Sequence, residues 1–368
     1  MSKEKFTMDE LDIIGTAPSM FPGMPGAPIY NRPITAKENR DLLFSGKRPM
    51  WIPTTGDVKM FCPKIIPDNV ARGFIIEAER ADPSTYGGKD FFGIEWEYVP
   101  AVNGSMVRPG KPFLEDIEDW ENIVKFPDLS QYDWEGSAKA NAEFLEGGMV
   151  QLWIMNGMFE RLISFMEFEG AAMALIDEDQ QEYVHALFSR LCDFYDELIG
   201  YYAKYYKPYS IHFHDDWGSQ RAPFFSLDTC REMLVPYMKR CVESCHKHGI
   251  LFDFHCCGQV ELLVPAMIEF GADSWGGQPM NDRKKLVREY GDKFVFGCPA
   301  PTIPDGATDE EIEALADQFM ADYACNGGRI IMIPTMVRMG GGPAAFEAAQ
   351  KFNNAVYIRS RKAYDENK

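Results

Sequence analysis

His255 and Cys257 stand two residues apart in the stretch Phe252-Asp253-Phe254-His255-Cys256-Cys257-Gly258. The apolar run and the closing glycine predict a β-strand entering a turn. Side chains alternate faces along a strand, so His255 and Cys257 share one face while Cys256 points to the other. An imidazole and a thiolate side by side are half of a four-coordinate zinc site, because Zn²⁺ favours mixed nitrogen and sulfur donors. The same residues also fit a buried strand end with two packed cysteines and a hydrogen-bonded histidine. The choice depends on which other donors the chain brings nearby.

Candidates for those donors lie where other apolar runs end. Cys298, in Gly297-Cys298-Pro299, is a third ligand candidate, set against the ordinary fate of a free cysteine as a small core hydrophobe. Asp215 and Asp216 follow His214. Only one of two neighbours on a strand can face the site, where a carboxylate would complete a zinc shell or orient a histidine. Glu160 is an acid/base or ligand candidate, and Arg161 can grip a carboxylate or phosphate with its fork. Trp217 and Gln278 are substrate-contact candidates by their place at strand ends. Met336 lies in the glycine-rich stretch 335–343, which can hold an anionic group before a helix. Cys241 and Cys245, four apart on a helical stretch, read as packing.

The elements that would position these groups alternate. Apolar runs at 148–155, 209–214, 250–255, 272–275, 293–297 and 329–333 predict strands. Helical patterns follow each, at 158–176 with 178–206, 227–248, 259–270, 281–290, 308–325 and 343–365. Such alternation predicts a parallel sheet. Six units, with strands available upstream (one at Met50 to Pro53), predict an α/β fold of the (β/α)8 TIM-barrel type, whose chemistry sits at the carboxyl ends of the strands. A nucleotide-binding doubly wound sheet is disfavoured, since no Gly-x-Gly-x-x-Gly follows an early strand. Residues 1–48, rich in Pro, Gly and Met, read as an irregular N-terminal arm with a helix near 35–44. Residues 49–368 read as one barrel domain.

Composition bounds the function class. The chain has 368 residues, 46% of them hydrophobic, and a net charge of −19. It is large enough for an ample core. The acidic balance argues against nucleic acid and anionic membranes as partners. No apolar run reaches the roughly 18 residues of a membrane helix. Nine scattered cysteines suit reduced thiols in a cytoplasmic protein rather than a disulfide framework.

Several segments together resemble the uroporphyrinogen decarboxylase superfamily, in particular its corrinoid-dependent methyltransferase branch. They are TrpGluAsnIleValLysPheProAspLeu (120–129), GlyMetPheGluArgLeu (157–162), HisAspAspTrpGlySerGln (214–220), ValProTyrMetLysArg (235–240) and HisCysCysGly (255–258). The resemblance implies zinc held by His255 and Cys257, and a corrinoid cofactor supplied by a corrinoid-binding partner protein. It also implies methyl transfer to or from a small molecule, a methoxy-aromatic compound or a thiol of the coenzyme M kind. A homodimer is a further expectation. The family's third zinc cysteine falls in the loop after the last strand, where this chain has Met336, so the remaining donors are sought among Cys298, Asp215, Asp216 and Glu160. The arginine-rich segment of the porphyrinogen decarboxylases is absent from ArgProIleThrAlaLysGluAsnArg (32–40). A metal-free decarboxylase is the alternative within the same fold.

Overall fold

A computed structural model describes residues 5–17, 26–101, 104–108, 110–324, 329–334 and 342–366. The chain divides into two compact units. The first comprises residues 1–18, 25–58 and 273–368, and the second 19–24 and 59–272. Parallel strands and intervening helices build both, as the alternation predicts.

In the second unit the strands Val58–Phe61, Met149–Ile154, Ser210–His214 and Leu251–His255 lie side by side in chain order. The last three pair parallel, with His212 opposite Asp253 and His214 opposite His255. Period-two alternation gives these strands two unlike faces. Ile211, Phe213, Phe252 and Phe254 are fully buried on one face. There Phe213 meets Phe252 and Tyr195 at centroid distances of 5.1 and 5.5 Å, and Phe254 meets Phe270 at 5.4 Å. The other face carries Ser210, His212, His214, Asp253 and His255, all polar. The sequence itself carries this alternation, with Ile211, Phe213 and Phe254 set between polar neighbours.

The helix Gln181–Tyr205 covers the apolar face with Val184, Leu187, Phe188, Leu191, Tyr195, Leu198 and Tyr202, spaced three and four apart. Two expected helices are broken by proline, which supplies no N–H and clashes with the preceding turn. The stretch 227–248 divides into Leu227–Met233 and Val235–Lys247 at Pro236. The stretch 259–270 becomes a 3₁₀ turn, Glu261–Leu263, followed by Val264–Glu269 with Pro265. A small antiparallel sheet of Gly88–Lys89, Glu95–Val99 and Gly104–Val107 uses the aromatic run 90–98.

In the first unit Ser274–Trp275, Val295–Pro299 and Ile330–Ile333 pair parallel. Met50 to Pro53, expected as a strand, is not one. Pro53 supplies only a carbonyl, which accepts from the Met332 amide, and Thr54 makes a single bridge to Met332. The N-terminal arm is more ordered than its composition predicts. Residues Ile13–Ala17 and Ala27–Tyr30 form an antiparallel pair. The buried Glu10 accepts both nitrogens of the Arg361 fork at 2.9 Å and the Tyr357 hydroxyl at 2.5 Å. This ties the start of the chain to the last helix, Pro343–Glu366.

Removing one partner of a buried ion pair costs about 3–5 kcal/mol, and the lower end applies here because Arg361 keeps Asp365 at 3.2 Å. Glu10→Ala is therefore expected to lower the unfolding free energy by about 3 kcal/mol in urea titration. A loss below about 1 kcal/mol would show that water reaches Arg361.

Candidate metal centre

The site is built from three chain segments of the second unit. Because His214 and His255 are register partners, their rings meet at the carboxyl ends of adjacent strands, stacked with centroids 5.1 Å apart and planes 13° apart. Cys257 continues the same face, with Sγ 3.3 Å from His255 Nε2. Asp216 completes the group, Oδ1 lying 3.5 Å from His214 Nε2. Among the described residues, His214, Asp216, His255 and Cys257 form a group whose ligand atoms all lie within 4.8 Å of one another.

Two glycines allow this closeness. Gly258 adopts φ +91°, and a Cβ on it would lie 2.3 Å from the Gly218 backbone. The turns after the two strands thus touch, and the Gln259 amide donates to the Ser219 carbonyl at 2.8 Å. A Cβ on Gly157 would sit 2.4 Å from that of Asp215.

Asp215 and Asp216 divide the labour that sequence leaves open. Asp215 is fully buried and points away from the donor group. Its carboxylate accepts the Phe159 and Glu160 amides at 3.1 and 2.8 Å and the Trp217 indole N–H at 2.8 Å. Those amides open the helix Met158–Ala174, whose own N-cap residue Gly157 has no side chain to offer. Asp215 therefore caps this helix from a different part of the chain. Burial pushes its carboxyl up to about 7, against the three donors that favour the ionised form. Asp216 instead faces the donor group and also accepts the Cys257 amide at 2.6 Å.

Capping the helix fixes its first turn, and that turn carries Glu160. The Glu160 carboxylate accepts from Arg72 at 3.1 Å and from His214 Nδ1 at 2.6 Å. Burial alone would raise its pKa, but Arg72 and His214 together hold it down at about 2. Burial likewise opposes charge on His214, yet Glu160, the Cys257 thiol and Asp216 raise it to about 10. The Cys257 thiol is itself pushed up by burial, with His214 opposing.

The donor set suits a divalent ion. Tetrahedral zinc with nitrogen and sulfur ligands requires donors about 3.3–3.6 Å apart. The His255–Cys257 and His214–Asp216 separations, 3.3 and 3.5 Å, match. A ligand histidine ordinarily donates its other ring N–H to a carboxylate, which fixes its tautomer. Glu160 does this for His214, leaving Nε2 to face the other donors.

Several expected site residues lie elsewhere. Cys298, expected as a ligand, is fully buried on the strand Val295–Pro299, with Arg283 and Tyr323 as its electrostatic neighbours, and it is outside the donor group. Arg161, expected to grip substrate, is fully buried with its fork consumed by Asp68 and, at 2.6 Å, Asp90. Trp217 is core rather than pocket wall, packed on Phe254 at 4.8 Å and bonded to Asp215. Gln278 is half-buried just before a turn, its carbonyl accepting from the Asn281 side chain. Met336 and most of the stretch 335–343 lie outside the described residues. Glu160 holds a histidine through a hydrogen bond. His214 was not among the expected ligands, although the same two-residue alternation that selects His255 and Cys257 would have selected it.

No family model matches the sequence, and no curated protein matches it. The fold resembles that of a methyltransferase from Methanosarcina mazei. The two superpose with a TM-score of 0.56 over 90% of this chain and 99% of that one, at 16% identity. At that identity the likeness concerns the fold alone. A xylanase from Gloeophyllum trabeum (TM-score 0.36, 10% identity, 61% of this chain and 82% of that one) and a D-psicose 3-epimerase from Clostridium cellulolyticum H10 (0.33, 10%, 63% and 81%) overlap too little to carry an argument.

The Glu160–His214 pair makes the stability of the metal-free protein depend on pH within a bounded window. Glu160 is depressed, so its contribution is full above its ordinary value of 4.5 and fades as pH falls toward 2. His214 is raised, so its contribution is full below its ordinary 6.5 and fades as pH rises through 10. Glu160→Gln is therefore expected to lower the unfolding free energy of metal-free protein by about 3 kcal/mol between pH 4.5 and 6.5. The difference should shrink on either side; a deficit that stays constant from pH 5 to pH 10 would refute the pairing.

Proposed function

We propose that the chain is a zinc-dependent methyltransferase moving a methyl group between a small methylated compound, a methoxy-aromatic ether by preference, and a corrinoid carried by a partner protein. The observation that supports this best is the group His214, Asp216, His255 and Cys257, with the far nitrogen of His214 already committed to Glu160. The fold likeness to a methyltransferase is compatible with it. The reading takes the scaffold as a cytoplasmic (β/α)8 barrel preceded by the arm 1–48, with one mouth open to the corrinoid protein.

In this reading the four side chains would hold the metal, with Cys257 as thiolate, and the substrate heteroatom would enter in place of Asp216 or as a fifth ligand. Bound zinc would supply Lewis-acid polarisation of the heteroatom that carries the methyl group. Glu160 keeps His214 in the tautomer that presents Nε2, and Arg72 keeps Glu160 ionised. Asp215 anchors the helix that carries Glu160, so it orients the group without touching it. Cys298 and Met336 are not needed for four-fold coordination, which removes the reason to seek a second sulfur.

Purified protein reconstituted with zinc is expected to retain one ion per chain after desalting, and Cys257→Ala or His255→Ala to retain less than a tenth of that. Glu160→Gln should weaken zinc binding by about 10–100-fold, the usual effect of removing a carboxylate behind a ligand histidine. Loaded wild type should transfer methyl from methoxyphenol to cob(I)alamin, read as methylcobalamin absorbance, and chelation should abolish the transfer. Wild type that takes up no zinc would sink this reading.

A further inference from the structure

A second row of polar side chains runs beneath the donor group on the same strands. Trp153, His212 and Asp253 are register partners across three adjacent strands. His212 and Asp253 each lie two residues before a member of the donor group, so they face the same way. Asp253 accepts from His212 Nδ1 at 2.5 Å and from Gln151 Nε2 at 3.1 Å. The His212 ring lies on the Trp153 indole, centroids 4.0 Å apart and planes 33° apart, and 5.3 Å from the His255 ring. Phe74 stacks on Trp153 at 4.8 Å.

His212 is 8% exposed, and its Nε2 is buried without a hydrogen-bond partner among the described residues. The Trp153 indole nitrogen is in the same condition. Leaving a buried polar atom unpaired costs about 1–3 kcal/mol, so two on stacked neighbouring rings call for an explanation. Their chemistry is complementary. With the Nδ1 proton given to the Asp253 carboxylate, Nε2 of neutral His212 is an acceptor, while the indole N–H is only a donor. One acceptor beside one donor matches a group that both donates and accepts through a single atom, and a hydroxyl is the simplest. An ether oxygen satisfies the indole alone.

We propose that His212 and Trp153 form a substrate subsite that selects a hydroxyl group one row below the metal donors. With Phe74 and His212 both lying on the Trp153 indole, a hydroxyl group meets the two nitrogens at the ring edges. This deepens the functional reading above and rests on it for the position of the methylated oxygen. The pairing itself does not depend on a metal, since none of its atoms belongs to the donor group.

The test is calorimetric binding of the three methoxyphenol isomers, each compared with methoxybenzene. It is run on zinc-loaded and on metal-free wild type, His212→Asn and Trp153→Phe, with zinc content and melting temperature measured for each. Asparagine keeps a donor for Asp253 while removing Nε2, and phenylalanine keeps the ring while removing the donor. Wild type is expected to bind at least one methoxyphenol tenfold or more tighter than methoxybenzene. Both variants should lose that preference with zinc content unchanged. A preference retained in either folded variant, or no preference in wild type, overturns the subsite. A preference shown by wild type that takes up no zinc on reconstitution upholds the subsite and defeats the metal-dependent reading instead.

Discussion

The arrangement depends on one buried carboxylate. Glu160 has Arg72 on one side and His214 on the other, and only that double pairing makes its ionised form tolerable away from water. The orientation of the His214 ring and the direction of its far nitrogen follow from where Glu160 is held, while strand register sets the spacing of the donors. Glu160 in turn is placed by the helix Met158–Ala174, whose first amides end on Asp215. Nearby, Arg161 is clamped between Asp68 and Asp90, with Asn156 bonded to both Asp68 and Arg72. The charges around the site thus form a connected set in which each member satisfies its neighbour, and few are left for anything but the donor face.

The strands explain why a polar cluster can sit inside a well-packed unit. One face of Ser210–His214 and Leu251–His255 is aromatic and closed by helices, while the other is histidine and aspartate. Parallel pairing in register then makes each polar residue the neighbour of another, His212 with Asp253 and His214 with His255. A one-residue slip would exchange the faces and bury the imidazoles among phenylalanines, so the aromatic packing fixes the register that the site requires.

Much of this was legible from sequence, and the exceptions have physical causes. The strands from Met149 to Ile333 follow the apolar runs closely, their helices do so except where Pro236 and Pro265 divide them, and alternation alone places His255 and Cys257 on a common face. The same rule applies to His212 and His214, but which strand lies beside which, and in what register, is a long-range fact that a single run of residues does not carry. Asp215 and Asp216 are indistinguishable by type; the amides that claim Asp215 belong to a helix more than fifty residues away. Arg161 resembles a substrate clamp until Asp68 and Asp90 are seen to fill it, and both come from a stretch without clear periodicity. Cys298 and Trp217 are strand-end residues like the candidate donors, but their side chains belong to packed interiors.

The cap that Asp215 supplies has a consequence for engineering. The segments 156–161 and 214–217 are held together by side chain to main chain bonds and by the glycine at 157, so they behave as a single graftable part. Transplanting only the four donors into another scaffold would leave His214 free to rotate and its carboxylate partner behind. A transplant that carries both segments with residues 251–258 and an arginine in the place of Arg72 brings the donors and their orienting machinery along, and the smallest portable version of this site is those three pieces of chain with that arginine.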